Sequence, residues 1–276
     1  MLLKDILVHV EASDAGENRV RAAATIAAQQ AATLIGLFLE GTPYIPPLTE
    51  LTQVPPEYLE HQRAYAKEES EKAKAMFIDH AKQANISYEW RSVEGQPGEV
   101  LGTNAKYCDL LVLGQRDPAK GMDMGDYPDG IILSVGRPVL VIPRVGKVTS
   151  IGEQVMIGWD GSAQATRAVH DALPLMKNAK NVNVISINPD STGDHGEEPC
   201  ADICRHLARH GLKVDAQSMS VNGIGIADML LSRASDKGVD LFVIGAYGHA
   251  RWRELILGGV TAHMLEHMTR PVLMAH

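Results

Sequence analysis

VMIGWDGS, from Val155 to Ser162, is a short apolar run that ends in an acidic, glycine-containing turn and a serine suited to cap a helix. ILVHVEAS, from Ile6 to Ser13, follows the same plan. Two further pairs keep the order: DLLVLGQ from Asp109 matches DLFVIGA from Asp240, and RPVLVI from Arg137 matches RPVLMA from Arg270. The spacings drift while the order holds, so the chain reads as two copies of one unit. The expected organisation is a first domain over 1–143, a linker over 144–154 with the sequence RVGKVTSIGEQ, and a second domain over 155–276.

In the second unit, apolar runs alternate with helical patterns. VMIGW, VNVISI, VDAQSMSV, LFVIGA and PVLMA read as strands, and helices are expected over Ser162–Lys177, Glu198–His210, Ile226–Lys237 and Gly259–Met268. Ser162 serves as an N-cap, while Gly211 and Gly238 stand just past helix ends. The first unit repeats this with ILVHV, TLIGLFL, ISYEWRSV, LLVLG and PVLVI, and with a long Glu/Lys/Ala-rich helix from about Pro56 to Gln83. Its segment GTPYIPPLTELTQVPP is a proline-rich loop. Strands apolar nearly throughout and separated by helices form parallel sheets covered on both faces. The fold class is therefore α/β, with two tandem doubly wound parallel sheets of five strands each. The short last strands, PVLVI and PVLMA, are expected to pair with each other.

Composition narrows the function. The formal charge of −8 disfavours a nucleic-acid partner, which would require the neutralisation of phosphates. Three cysteines make no disulfide framework and fit a reducing compartment. No apolar stretch is long enough for a signal core or a membrane span, so the expected location is the cytoplasm.

Ligands of such sheets bind beyond the carboxyl ends of the strands, where the strand order reverses. In the second unit that places Asp160 beside the sequence GAYGHARWRELILGGVT, from Gly245 to Thr261. Glycines let a backbone approach a phosphate closely, and a helix opening at Gly259 directs free N–H groups toward it. His249, Arg251 and Arg253 add positive charge, and Asp160 can accept hydrogen bonds from ribose hydroxyls.

These residues resemble the tandem universal stress proteins, a likeness that runs through both halves and implies a Rossmann-like, nucleotide-binding fold. Members that bind ATP carry the pattern G-x2-G-x9-G-(S/T). The resemblance assigns Gly245, Gly248 and Gly258 to the phosphate loop, with His249 beside it, Asp160 to the ribose or base, and Gly259, Val260 and Thr261 to the turn that follows. It implies ATP as the ligand, with Mg²⁺ accompanying the nucleotide, and a stress-adaptation role through nucleotide-dependent regulation of a protein partner. Gly259 departs from the family's Ser or Thr, which removes a hydroxyl. Pairing of the two domains within the chain is implied as well, and a homodimer of chains stays open.

The first unit departs further. Glu11 replaces the aspartate and Asp117 stands where the second glycine belongs. Asp117, Asp123, Asp126 and Asp129 crowd a region that must accept phosphate, and if unpaired they would repel it. This copy is expected not to bind ATP.

Plainer readings stand beside each assignment. The glycines can simply close turns, and Asp160 can belong to the turn ahead of its helix. Cys200 and Cys204 point away from His206 and His210 on a helix, so they make a poor metal cluster; His263 and His267 read as surface or packing. No nucleophile elbow, P-loop or HExxH motif is present, so turnover has no named residues. The alternatives are a nucleotide-free interaction module and a slow ATPase or phosphotransfer enzyme.

Overall fold

The computed structural model describes residues 2–40, 56–117, 128–187, 200–220, 225–246 and 259–276. The first half runs β1 (Asp5–Val10), α1 (Asp14–Gln30), β2 (Thr33–Glu40), α2 (Pro56–Gln83), β3 (Tyr88–Glu94), α3 (Pro97–Ala105), β4 (Leu110–Gly114), α4 (Asp129–Ser134) and β5 (Val139–Ile142). The second half repeats it with β6 (Gln154–Gly158), α5 (Ala163–Met176), β7 (Asn181–Ile187), α6 (Ala201–Arg209), β8 (Val214–Met219), α7 (Ile226–Asp236), β9 (Leu241–Gly245), α8 (Gly259–His267) and β10 (Val272–Ala275). The proline-rich segment over 41–55 lies outside the described residues.

Each half forms a parallel sheet whose order reverses once, between β1 and β4 and again between β6 and β9. The two sheets join. β10 pairs antiparallel with β5, with Leu273 opposite Leu140, giving one ten-stranded sheet in the order β3-β2-β1-β4-β5-β10-β9-β6-β7-β8. The expected pairing of the two PVL strands is thus present. Because it is antiparallel, the carboxyl ends of the first half's strands and those of the second half point to opposite edges of the continuous sheet.

Alternation along the strands builds a core on each face. Ile6, Val8 and Val10 pack with α1, α2, α5 and α6, while Leu7 packs on the other face with α3, α4, α7 and α8. Edge strands β3 and β8 are largely exposed and polar, as strands open to water on one side should be.

Repeated residues explain local geometry. Ser13 and Ser162 cap α1 and α5, accepting from the backbone N–H of Gly16 and Ala165. Gly211 and Gly238 take positive φ just past their helices, as expected from sequence. The repeated aspartates work at the far end of the sheet: Asp240 accepts from the N–H groups of Gly152, Glu153 and Gln154, and Asp109 from those of Lys4 and Asp5. Asn18 of α1 holds the segment joining the halves, donating to Gly146 and accepting from Val148 N–H.

Candidate functional site

At the second half's reversal point, β6 and β9 lie side by side, with Gly158 opposite Ile244. Beyond their ends opens a cleft continuous with solvent, about 650 Å³ when the open space at its mouth is counted. Ile185 and Ile187 from the end of β7, Ile226 and Leu230 from α7, and Ile244 give it apolar walls. Trp159 and Asp160 form one rim, and Val260 and Thr261 from the first turn of α8 form another.

Asp160 holds both roles considered from the sequence. Its carboxylate accepts from the N–H of Ser162 at 3.0 Å, closing the turn before α5, and it also lines the cleft. Gly161 between them has a φ of 72°, a conformation that favours glycine. Gly245 lines the cleft too, but its lack of a side chain has a packing cause. A Cβ there would sit 2.4 Å from the backbone nitrogen of Ala165, so the first turn of α5 seats directly on the end of β9. Gly259 opens α8, and a Cβ added there meets nothing within 4 Å among the described residues. Asp160, Gly245, Val260 and Thr261 are therefore brought together around one cleft, with Gly259 adjacent in α8; Gly248, His249 and Gly258 lie outside the described residues.

The end of β1, the matching strand of the first half, is built differently. Arg19 of α1, its side chain 3% exposed, donates from Nε to the carbonyl of His9 at 2.6 Å and from Nη2 to the Glu11 carboxylate at 2.7 Å. Counting from the capping serines, Ala168 stands at this position in α5, and it is fully buried. The aspartate-rich stretch needs a correction: Asp117 is not a bare charge, because Arg144 approaches to 3.9 Å. Asp123 and Asp126 lie outside the described residues.

Comparison with known proteins now assigns the cleft-bearing half. Residues 153–276 match the universal stress protein family. The second half is similar to a universal stress protein domain. A universal stress protein of Synechocystis sp. is 26% identical over 174 residues, covering 60% of this chain and 57% of the relative, so the match spans little more than half of that protein's length. Among solved structures, a universal stress protein from Archaeoglobus fulgidus DSM 4304 covers 98% of this chain and 95% of its own, with a TM-score of 0.75 at 16% identity. A functionally unknown protein from Pseudomonas aeruginosa PAO1 covers 99% of this chain and 92% of its own, with a TM-score of 0.61 at 16% identity. These likenesses show that the whole chain has the tandem α/β fold found in a universal stress protein.

Within that fold, the other clusters weighed from sequence separate as follows. Cys200 is buried and His206 packs between His210 and His170, with ring centroids 4.8 and 5.8 Å away. His263 of α8 meets Asp228 of α7 at 2.7 Å. Burial pushes the Cys108 thiol up to about 12 and Cys200 to about 11, so neither offers a thiolate near neutral pH. No described helix is long and apolar enough to cross a membrane. The sequence reading missed the isoleucine and leucine walls, which carry no polar signal. It missed Arg19 as well, although an arginine among the alanines of α1 opposite Ala168 is visible in the repeat.

Proposed function

We propose that this chain binds an adenine nucleotide, ATP, in its second half and uses the bound state to regulate a protein partner in stress adaptation. The observation that carries this reading is the open cleft at the reversal point, apolar within, with a carboxylate on one rim and the first turn of a helix on the other. A flat base suits the apolar walls, Asp160 suits ribose hydroxyls or a base amine, and the free N–H groups opening α8 suit phosphate. The donor set fits a nucleotide. Among the described residues no group of three or more acidic, histidine or cysteine side chains could hold a metal, so Mg²⁺ would be held chiefly by the nucleotide phosphates, with Asp160 the carboxylate at hand. The first half stays a silent copy in this reading: Glu11, at the position of Asp160, is engaged by Arg19, and the buried His9 stands where the second half has the cleft-lining Gly158.

The test is binding of Mg·ATP to the wild-type chain and to Asp160→Ala, by fluorescence or calorimetry. Binding to the wild type with about tenfold weaker binding to the variant, the loss of one or two hydrogen bonds to a charged group, is the expected result. Equal affinity would overturn the site, and absence of any binding would favour a nucleotide-free interaction module.

A further inference from the structure

The two halves are linked by a side chain that the nucleotide reading does not use. Gln115 follows β4, at the first half's own reversal point. Its Nε2 donates to the carbonyls of Leu265 and Glu266 at 2.9 and 2.8 Å, in the last turn of α8. Its Oε1 accepts from the backbone N–H of Arg144 at 3.0 Å, and its own N–H donates to Ile142. The Arg144 N–H requires an acceptor, so the amide orientation is settled and its NH₂ must face α8.

The last carbonyls of a helix have no partner within it. Here two of α8's are satisfied by the other half of the chain. α8 spans nine residues, about 13 Å at 1.5 Å per residue. Its far end carries Val260 and Thr261 into the cleft, and Met264 and Leu265 are buried along its length. A short packed helix moves as a body, so what holds one end sets the other. The link runs one way: the matching residue of the second half is Ala246, which has no amide to offer.

We propose that Gln115 is a positioning residue for the second half's cleft, through which the first half sets the affinity of the nucleotide site. This rests on the nucleotide reading above. The first half is then a regulator of its neighbour.

The experiment compares wild type, Gln115→Glu and Gln115→Lys in the full chain. Glu keeps the shape and the acceptor for Arg144 N–H but has no donor and places negative charge at a helix carboxyl end, whereas Lys donates to those carbonyls, suits the dipole and leaves the exposed Arg144 N–H to water. Mg·ATP titration is expected to show Gln115→Glu about fivefold to tenfold weaker than wild type, with Gln115→Lys near wild type. Hydrogen exchange over 259–267 in the nucleotide-free protein is expected to quicken in Gln115→Glu and to recover in Gln115→Lys. Equal affinities in wild type and Gln115→Glu, or equal weakening in both variants, would overturn the proposal. If the wild type binds no nucleotide, the nucleotide reading fails separately. Exchange then judges the clamp alone, and unchanged rates in Gln115→Glu would overturn that too.

Discussion

Between α1 and β1 a buried arginine reaches two acceptors, while between α5 and β6 the same space holds an alanine. In the first half, Arg19 ties the carbonyl of His9 to the Glu11 carboxylate and so closes the end of β1. In the second, the buried Ala168 stands at the matching position, Asp160 closes the turn, and a solvent-open cleft lies beyond the strand end. One fold thus carries two different reversal points. The lesson is that a duplicated scaffold keeps its sheet and its caps while the residues at its strand ends diverge.

The strongest test of that contrast is Gly245→Val. Its Cβ would collide with the backbone of α5, which cannot yield as a side-chain tip could, so destabilisation above about 3 kcal/mol is expected in denaturant melts. A tolerated valine would show that α5 does not seat there. Arg19→Ala comes next. It removes a buried guanidinium bonded to the Glu11 carboxylate and to the His9 carbonyl, with an expected loss of about 2 kcal/mol, yet it should create no second nucleotide site, because Glu11 stays. New binding at the first half would break the comparison.

Gly259→Ser sharpens the second half. No described residue stands in the way of the side chain, and serine is the better helix former. Nucleotide affinity should rise about threefold to tenfold, the worth of one added hydrogen bond; a fall would contradict the placement of phosphate at α8. Smallest is the effect of pH on the outer helices. The first half pairs His80 of α2 with Glu17 of α1 at 3.2 Å, whereas the second sets His206 of α6 against His170 and His210. Burial, with His210, His170 and Arg209 nearby, holds His206 below the usual histidine value. The unfolded chain therefore takes up its proton first as the pH falls. Stability from this group is full above about pH 6.5 and declines below it. His206→Gln should flatten that decline in thermal melts, and an unchanged pH profile would show that the cluster carries no such cost.

Much of this was legible in the sequence. The repeat gave the strands and caps, since apolar runs of that kind are buried in a parallel sheet covered on both faces, and the two short last strands pointed to the antiparallel pairing of β5 with β10. Asp160, Gly245, Val260 and Thr261 were placed together by the rule that ligands meet such sheets beyond the strand ends. The packing cause of Gly245 was hidden, because only coordinates show a helix backbone lying where its Cβ would be. Ile185, Ile187 and Leu230 were hidden as well: an apolar residue reads the same whether it faces a core or a cleft. The pairing of Asp117 with Arg144, which sequence reading had left unpaired, depends on the linker's path.

The direct measurement of the asymmetry is a calorimetric titration of the nucleotide-stripped full chain with Mg·ATP, read for stoichiometry. One nucleotide per chain is the predicted result, abolished by changes at the second half's cleft and indifferent to Glu11. Two per chain would show that the first half binds as well, and none would remove the nucleotide from the second.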